Sequence, residues 1–312
     1  MSMRGSQAVK RILQTAVVAA IIVFLVRSVA ANWDRVREFD WSLDPGFLVL
    51  SVALFIVSYA MLPWIWSRVL KATGYSIGFG LAWNIYFYSN LAKYIPGKIW
   101  TILGVSYVAG KYGIPPRASA ASAVFAQLYS LLSSIVFFSV LCILTEFRTD
   151  IAGIAWLVPV VLALLTASLF PEPLERAANA VLRRLGKQEL DVAFSTRDAV
   201  RFMFLYLLWW GFTGIAFGLF VASVAGWGQV NVFLAGGMFA LAYAAGFLAL
   251  IAPGGIGVRE GVLALLLGSY LPVSVAIVIA ALARLLMTAI EVLCALPPVL
   301  KRVRYGEKEI PG

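Results

Sequence analysis

The segment Ala252–Gly261, with the sequence APGGIGVREG, places one proline, four glycines and two charged residues between two long apolar runs. A lipid-exposed helix does not tolerate such a break, because each unpaired backbone amide costs several kcal/mol in hydrocarbon. Arg259 and Glu260 each add about 2.5 to 3.5 kcal/mol on the membrane-insertion scale. The segment therefore predicts a protein-lined or water-filled site within a membrane, as in transport proteins.

The composition indicates an integral membrane protein. Of the 312 residues, 62% are hydrophobic and 13% are charged, and the mean hydropathy is +0.91. There is no histidine, the commonest general base and a frequent metal ligand, so we expect no catalytic residue, no metal and no cofactor. The net charge is +10, and the basic residues lie beside apolar spans without a nucleic-acid-binding pattern. This distribution favours an anionic membrane over nucleic acid as the partner.

The apolar runs and the positions of Lys and Arg predict an all-α polytopic membrane protein with a single membrane domain. We expect about six full transmembrane helices and both termini in the cytoplasm, so that the chain is integral to the cytoplasmic (inner) membrane. The first is an N-terminal anchor helix over 11–31, which we favour over a cleaved signal peptide. The other five are Phe47–Trp66, Ala118–Thr145, Ile151–Phe170, Phe202–Ala225 and Val273–Leu300.

Two pairs of shorter apolar segments lie between these spans, and each pair is joined by a proline-glycine break. The first pair, over 81–110, has basic residues on both sides, which predicts a re-entrant helical hairpin that enters from the cytoplasm. The second pair, over 233–270, is predicted to enter from the opposite side. Its first arm is long enough to cross alone, so a broken full-length helix is the alternative. The breaks are Pro96-Gly97 in the first hairpin and Pro253-Gly254-Gly255 in the second.

The two breaks align without a gap. An offset of 157 positions (253 minus 96) pairs Pro96 with Pro253, and it also pairs Gly97 with Gly254. Because the hairpins are predicted to enter from opposite sides, the halves form an inverted-topology repeat, an arrangement typical of secondary transporters. The alternative is that two glycine-rich apolar hairpins coincide by composition.

The domain therefore divides into three parts. Repeat one covers 47–145 and repeat two covers 202–300. Between them, 151–200 contains a linking span and a cytoplasmic amphipathic segment. In its polar part, over 171–201, apolar residues recur at helical spacing beside Arg and Lys. This pattern predicts an interfacial helix on anionic headgroups, with a solvated linker as the alternative.

Charged and polar side chains near the breaks are the candidate substrate-binding residues. They are Lys98, Gln127, Arg259, Glu260, Arg284 and Glu291. Together with Lys93, the charged residues of this set carry more positive than negative charge, which favours an anionic ligand. The planar guanidinium group of arginine also matches the oxygens of a phosphate. Arg284 and Glu291 are seven residues apart, two turns along one helix face, so they can line one cavity. There they can pair with Glu260 and Arg259 of the second hairpin.

Each of these residues also has a simpler interpretation that stays open. Arg284 and Glu291 can form a structural ion pair that fixes the hairpin against the last span. Lys98 can extend its side chain to the cytoplasmic surface, and Gln127 can make a hydrogen bond between helices.

The segments SNLAKYIPGKIW (Ser89–Trp100) and APGGIGVREG, with Arg284 and Glu291 in the helix after the second break, resemble the membrane domain of the lysylphosphatidylglycerol synthase/flippase family. The resemblance covers nearly the whole chain. It implies a lipid-flippase membrane domain, which in some members is fused to an aminoacyl-lipid synthase and in others stands alone in lipid, hopanoid or polyprenyl-glycan pathways. The printed sequence contains no synthase domain, so we expect that it does not itself make lysyl-phosphatidylglycerol.

These observations favour a transporter rather than an enzyme. We expect a lipid flippase or translocase that moves an anionic, phosphate-bearing lipid of phospholipid or polyprenyl-phosphate type by alternating access. The expected partners are membrane lipids with anionic headgroups, and lipid-biosynthetic enzymes. The alternatives are a membrane-embedded lipid-modifying enzyme, a non-transporting partner in envelope or hopanoid lipid assembly, and a carrier of soluble anions.

Overall fold

The computed structural model describes residues 33–94, 99–145, 194–249 and 252–305, with a few isolated positions outside these ranges. Three predicted features lie wholly or almost wholly outside the described residues: the anchor helix over 11–31, the span Ile151–Phe170, and the first break with Lys98. Most of the amphipathic segment over 171–201 also lies outside them.

The described residues form helices and no strands. In chain order these are α1 Trp33–Glu38, α2 Pro45–Ala72, α3 Phe79–Asn90, the 3₁₀ turn Leu91–Tyr94, α4 Ile99–Gly110, α5 Pro116–Leu144, α6 Thr196–Ala225, α7 Val232–Leu248, the 3₁₀ turn Pro253–Gly255, α8 Val258–Leu267 and α9 Val273–Tyr305.

Four of these helices are long and apolar enough to cross a membrane: α2, α5, α6 and the Val273–Pro298 part of α9. They coincide with four of the predicted full spans. The chain is therefore an all-α polytopic membrane protein, as the sequence predicted. Helices α4 and α7, in the two hairpins, are apolar but shorter.

Local sequence explains where the long helices begin. The Asp44 carboxylate accepts hydrogen bonds from Gly46 N at 2.8 Å and Phe47 N at 3.0 Å, and Pro45 occupies the first helical position of α2. At the start of α6, Ser195 Oγ accepts from Asp198 N at 3.1 Å, and the Asp198 carboxylate caps the backbone of Ser195 in return. These caps satisfy amides that lipid would leave unpaired.

The same element order occurs twice: a long helix, two short helices around a break, and a second long helix. These halves are α2–α5 and α6–α9. The two halves pack against each other: α2 contacts α6, α3 contacts α9, and α7 contacts α5. The 3₁₀ turns Leu91–Tyr94 and Pro253–Gly255 contact each other. The turn that precedes the first break therefore lies against the second break.

Helices α6 and α7 approach each other very closely. A Cβ atom added to Gly236 would lie 2.6 Å from Gly214 Cα, and one added to Gly218 would overlap the carbonyl of Val232. Small residues at a helix crossing allow backbones to approach in this way. Helix α2 is joined to the same pair where Ser51 Oγ donates to Ala216 O at 2.7 Å. These contacts join α2, α6 and the first part of α7.

Candidate functional site

A cavity of about 220 Å³ lies in the centre of the bundle, beside the second break. Every helix from α2 to α9 contributes to its lining, so both halves of the chain build it. Small-molecule sites usually have volumes of roughly 300 to 1,000 Å³. The cavity is smaller than this range, so a lipid with its chains does not fit and only a small polar group can occupy it.

The backbone at the second break adopts conformations that require glycine. Gly254, Gly255 and Gly257 have φ angles of 58°, 71° and 82°, in the left-handed region. A Cβ atom on Gly255 would also lie 2.9 Å from Gly246 O in α7. The break thus packs directly on α7, and both Gly254 and Gly255 line the cavity.

Glu260 caps the helix that follows the break. Its Oε2 atom accepts a hydrogen bond from Gly257 N at 2.6 Å, at the start of α8. Its Oε1 atom lies 3.6 Å from Arg284 Nη1. Glu260 does not line the cavity among the residues that the structure describes there. Its carboxylate stabilises the backbone conformation at the end of the break and lies close enough to Arg284 to compensate its charge.

Arg284 connects the last long helix to the break. Both Nη atoms lie 3.4 Å from Gly254 O, to which they donate, and the guanidinium also pairs with Glu260. The predicted pairing of Arg284 with Glu260 is therefore present. Arg284 lines the cavity as well, so it has a structural contact and remains accessible to a ligand.

Arg259 is the second arginine of the cavity. Its guanidinium carbon lies 4.4 Å from the ring centre of Phe239 and 5.8 Å from that of Tyr243, and Nη2 donates to Met287 Sδ at 3.4 Å. Within the described parts of the chain, no carboxylate lies within ion-pair distance of it. Stacking on aromatic rings orients this cation without neutralising it.

Glu291 contacts the first hairpin rather than Arg259. It is 3% exposed, and its Oε1 atom accepts a hydrogen bond from Asn90 Nδ2 at 2.7 Å. Asn90 is the last residue of α3, directly before the 3₁₀ turn that precedes the first break. Two turns apart on α9, Arg284 and Glu291 therefore hold the second and the first hairpin respectively. The carboxylate of Glu291 is not part of the described cavity lining.

The remaining predicted residues are placed unevenly. Gln127, on α5, lines the cavity, and its side-chain amide makes no hydrogen bond to any residue that the structure describes. Lys98, Pro96 and Gly97 lie outside the described residues. The backbone of Pro253 forms the 3₁₀ turn of the second break with Gly254 and Gly255.

Sequence reasoning missed the neutral side chains of the cavity. Trp209 and Thr213, one turn apart on α6, line it, and Trp209 Nε1 and Thr213 Oγ1 are buried without a hydrogen-bond partner among the described residues. Tyr243 on α7 also lines it and accepts a hydrogen bond from Ser130 Oγ at 3.2 Å. One sequence feature could have indicated these lining residues. The Trp209-Trp210 pair lies inside an uncharged span, whereas tryptophan usually lies at the membrane interface.

Comparison with known proteins identifies one family. The model of the family described as "Lysylphosphatidylglycerol synthase TM region" matches residues 11–295 of the chain. A comparison with curated proteins gave no significant match. The family match covers nearly all of the sequence, including both hairpins and the whole described lining of the cavity.

Proposed function

The chain belongs to the lysylphosphatidylglycerol synthase TM region family, and from that premise we propose that it is a lipid flippase. Membership indicates a membrane protein involved in lipid handling. The proposed activity is movement of an anionic, phosphate-bearing lipid of phospholipid or polyprenyl-phosphate type across the cytoplasmic membrane. The headgroup occupies the central cavity while the chains remain in the surrounding lipid.

The observation that carries this proposal is the charge of the cavity lining. Among the described residues, its charged members are Arg259 and Arg284, and neither Glu260 nor Glu291 lines it. Burying a cation without a counter-ion is unfavourable, so an anionic ligand that pairs with Arg259 relieves this cost. A phosphate oxygen also matches the planar donor fork of the guanidinium.

The arrangement of the two halves supports alternating access. Each half has the same order of elements, and each first hairpin helix packs against a long helix of the other half. In the proposed mechanism the halves are inverted repeats, and the hairpins open to opposite sides of the membrane in turn.

Transbilayer movement of labelled phosphatidylglycerol and polyprenyl phosphate in proteoliposomes tests the proposal. We expect Arg259→Gln to reduce the rate by about 10-fold or more, because a hydrogen bond to a charged group contributes roughly 1.5 to 3 kcal/mol. Arg37→Gln is the matched control, since Arg37 is an exposed residue of α1 and does not line the cavity. If the wild-type protein moves neither lipid, or if Arg259→Gln moves them as fast, the proposal fails.

We further propose that the protein transports its lipid unchanged. The second arm of the test is therefore chemical: lipids recovered from the proteoliposomes are analysed for phosphate release and group transfer. Unmodified lipid on both leaflets supports a flippase. Product formation that depends on the protein would favour a lipid-modifying enzyme instead.

A further inference from the structure

Four pairs of the described cavity-lining residues are separated by the same distance in sequence as the two breaks. For example, 243 minus 86 and 284 minus 127 are both 157, the offset between Pro96 and Pro253. The pairs are Tyr86 with Tyr243, Asn90 with Phe247, Gln127 with Arg284, and Ser130 with Met287, and all eight residues line the cavity. This agreement indicates that the two halves contribute equivalent positions to the same site.

We propose that Tyr86 and Gln127 bind the phosphate group of the headgroup, as the first-half counterparts of Tyr243 and Arg284. This inference rests on the proposed function and assigns further ligand-binding residues to the same cavity. The charged donors of the site come from the second half, and the first half adds neutral ones. The ligand chemistry is a phosphate oxygen, which a lipid headgroup and free phosphate share.

Tyr86 presents a hydroxyl group that the described residues leave without a partner. The side chain lies on α3 and lines the cavity, and it makes no hydrogen bond to any residue that the structure describes. Unlike Trp209 Nε1 and Thr213 Oγ1, its oxygen is not one of the described atoms that are sealed from solvent. A tyrosine hydroxyl is a donor as well as an acceptor, so it can donate to an anionic oxygen that enters the cavity.

Tyr243 shows the equivalent hydroxyl group beside a cation. Its oxygen accepts a hydrogen bond from Ser130 Oγ at 3.2 Å, so its own proton is not used in that bond. Its ring centre lies 5.8 Å from the guanidinium carbon of Arg259. The second half therefore combines a neutral hydroxyl donor with a charged donor, and Tyr86 supplies the matching hydroxyl from the first half.

Gln127 occupies the position equivalent to Arg284 without its charge. Arg284 donates to Gly254 O at 3.4 Å and lies 3.6 Å from Glu260, so the protein uses part of its donor capacity. Gln127 makes no hydrogen bond to a described residue, and its amide provides two N–H donors. Neutral donors satisfy further phosphate oxygens without adding a positive charge that would repel Arg259 and Arg284.

Phosphate binding in detergent tests the two residues. Kd is measured from the rise in Tm with inorganic phosphate and with glycerophosphate, because a ligand of the native state raises Tm. We expect Tyr86→Phe and Gln127→Met each to weaken binding about 10-fold, since each removes a donor to a charged group. A purely structural role would lower Tm without ligand and leave Kd unchanged. Tyr107→Phe is the control, because Tyr107 is 60% exposed on α4 and does not line the cavity.

The binding measurement has clear negative outcomes. If either Tyr86→Phe or Gln127→Met binds phosphate with wild-type affinity, the inference is wrong. A wild-type protein whose Tm does not respond to phosphate also overturns it.

An exchange of side chains tests the equivalence of the two halves. We expect Arg284→Gln to weaken phosphate binding about 10-fold, and the combination of Arg284→Gln with Gln127→Arg to restore it. Arg284→Gln combined with Gln229→Arg is the control, because Gln229 lies in an exposed turn and the total charge is the same. Binding by the exchange variant as weak as in this control refutes the equivalence. Since Arg284 also contacts the second break, Tyr86→Phe decides if the exchange variant does not fold.

Transport separates the two sources of phosphate chemistry. Proteoliposomes contain labelled phosphatidylglycerol in the bilayer and labelled phosphate in the lumen. We expect Tyr86→Phe to slow lipid movement about 10-fold, and neither protein to release phosphate. If the wild-type protein moves no lipid but the binding results hold, the flippase proposal fails and the phosphate site stands. If Tyr86→Phe moves the lipid at the wild-type rate, the phosphate of the headgroup does not bind at Tyr86 and the inference fails.

Discussion

Removal of the Glu260 carboxylate tests whether charge holds the second break in place. Glu260 and Arg284 approach to 3.6 Å with side chains only 12% and 19% exposed. Truncating one partner of a buried pair costs roughly 3 to 5 kcal/mol, because the other charge loses its match. The residual exposure and the long N···O distance place this pair below that range. We therefore expect Glu260→Ala to lower the free energy of unfolding by about 2 to 3 kcal/mol.

A double-mutant cycle isolates the contribution of the pair. Glu260→Ala also removes the hydrogen bond from Gly257 N, which contributes about 1 kcal/mol and does not depend on Arg284. Combining Glu260→Ala with Arg284→Met in a cycle cancels that term. We expect a coupling energy of about 1.5 kcal/mol between the two side chains, measured by reversible unfolding in detergent micelles.

The chain contains a matched control pair. Glu172 and Arg176 approach to 3.4 Å, slightly closer than Glu260 and Arg284, but their side chains are 78% and 80% exposed. Exposed pairs at this spacing contribute only about 0.3 to 0.5 kcal/mol. The closer pair should therefore show the weaker coupling. Equal coupling energies in the two cycles, or additive effects of Glu260→Ala and Arg284→Met, would refute the argument that burial determines the strength of this contact.

Two further substitutions test the packing around the site by the same unfolding measurement. Gly236→Ala places a methyl group 2.6 Å from the backbone of α6 and should cost about 2 to 3 kcal/mol, whereas Gly261→Ala, with open space around it, should be neutral or stabilise α8 by up to about 1 kcal/mol. Equal effects of the two would contradict the close crossing. Asn90→Leu removes the hydrogen-bond donor to buried Glu291 and should cost about 1 to 2 kcal/mol. Wild-type stability of this variant would show that the bond does not hold the first hairpin.

The sequence predicted those parts of the fold that depend on whether a segment is surrounded by lipid or by water. The four long helices were predicted because uncharged runs of that length are stable in lipid and their ends carry charges or turn residues. Arg259 was found for the same reason, since a charge inside an apolar run is costly and therefore conspicuous.

The parts that it did not predict depend on contacts between distant elements. Spacing placed Arg284 and Glu291 on one face of α9, but it did not identify Asn90 as the partner of Glu291, because helix periodicity does not specify which helix lies opposite. Thr213 was missed because threonine is ordinary within an apolar helix, and the Trp209-Trp210 pair, although unusual inside a span, does not by itself show what lies beside it. Only the assembled bundle shows that the donors of Trp209 and Thr213 lie beside a cavity and find no partner in the part of the chain that the structure describes.

The close crossing of α6 and α7 fixes the first two helices of the second half against each other. Because Gly236 lies against Gly214 without room for even a methyl group, α7 cannot rotate or slide along α6 unless the two helices separate. The glycines at 254, 255 and 257, which have positive φ angles, lie in the break that follows this fixed helix. Helix α8, which carries Arg259, follows the break and packs against α7. Both Nη atoms of Arg284 donate to Gly254 O, so under the flippase proposal a phosphate that binds Arg284 competes with the second break for the same donors.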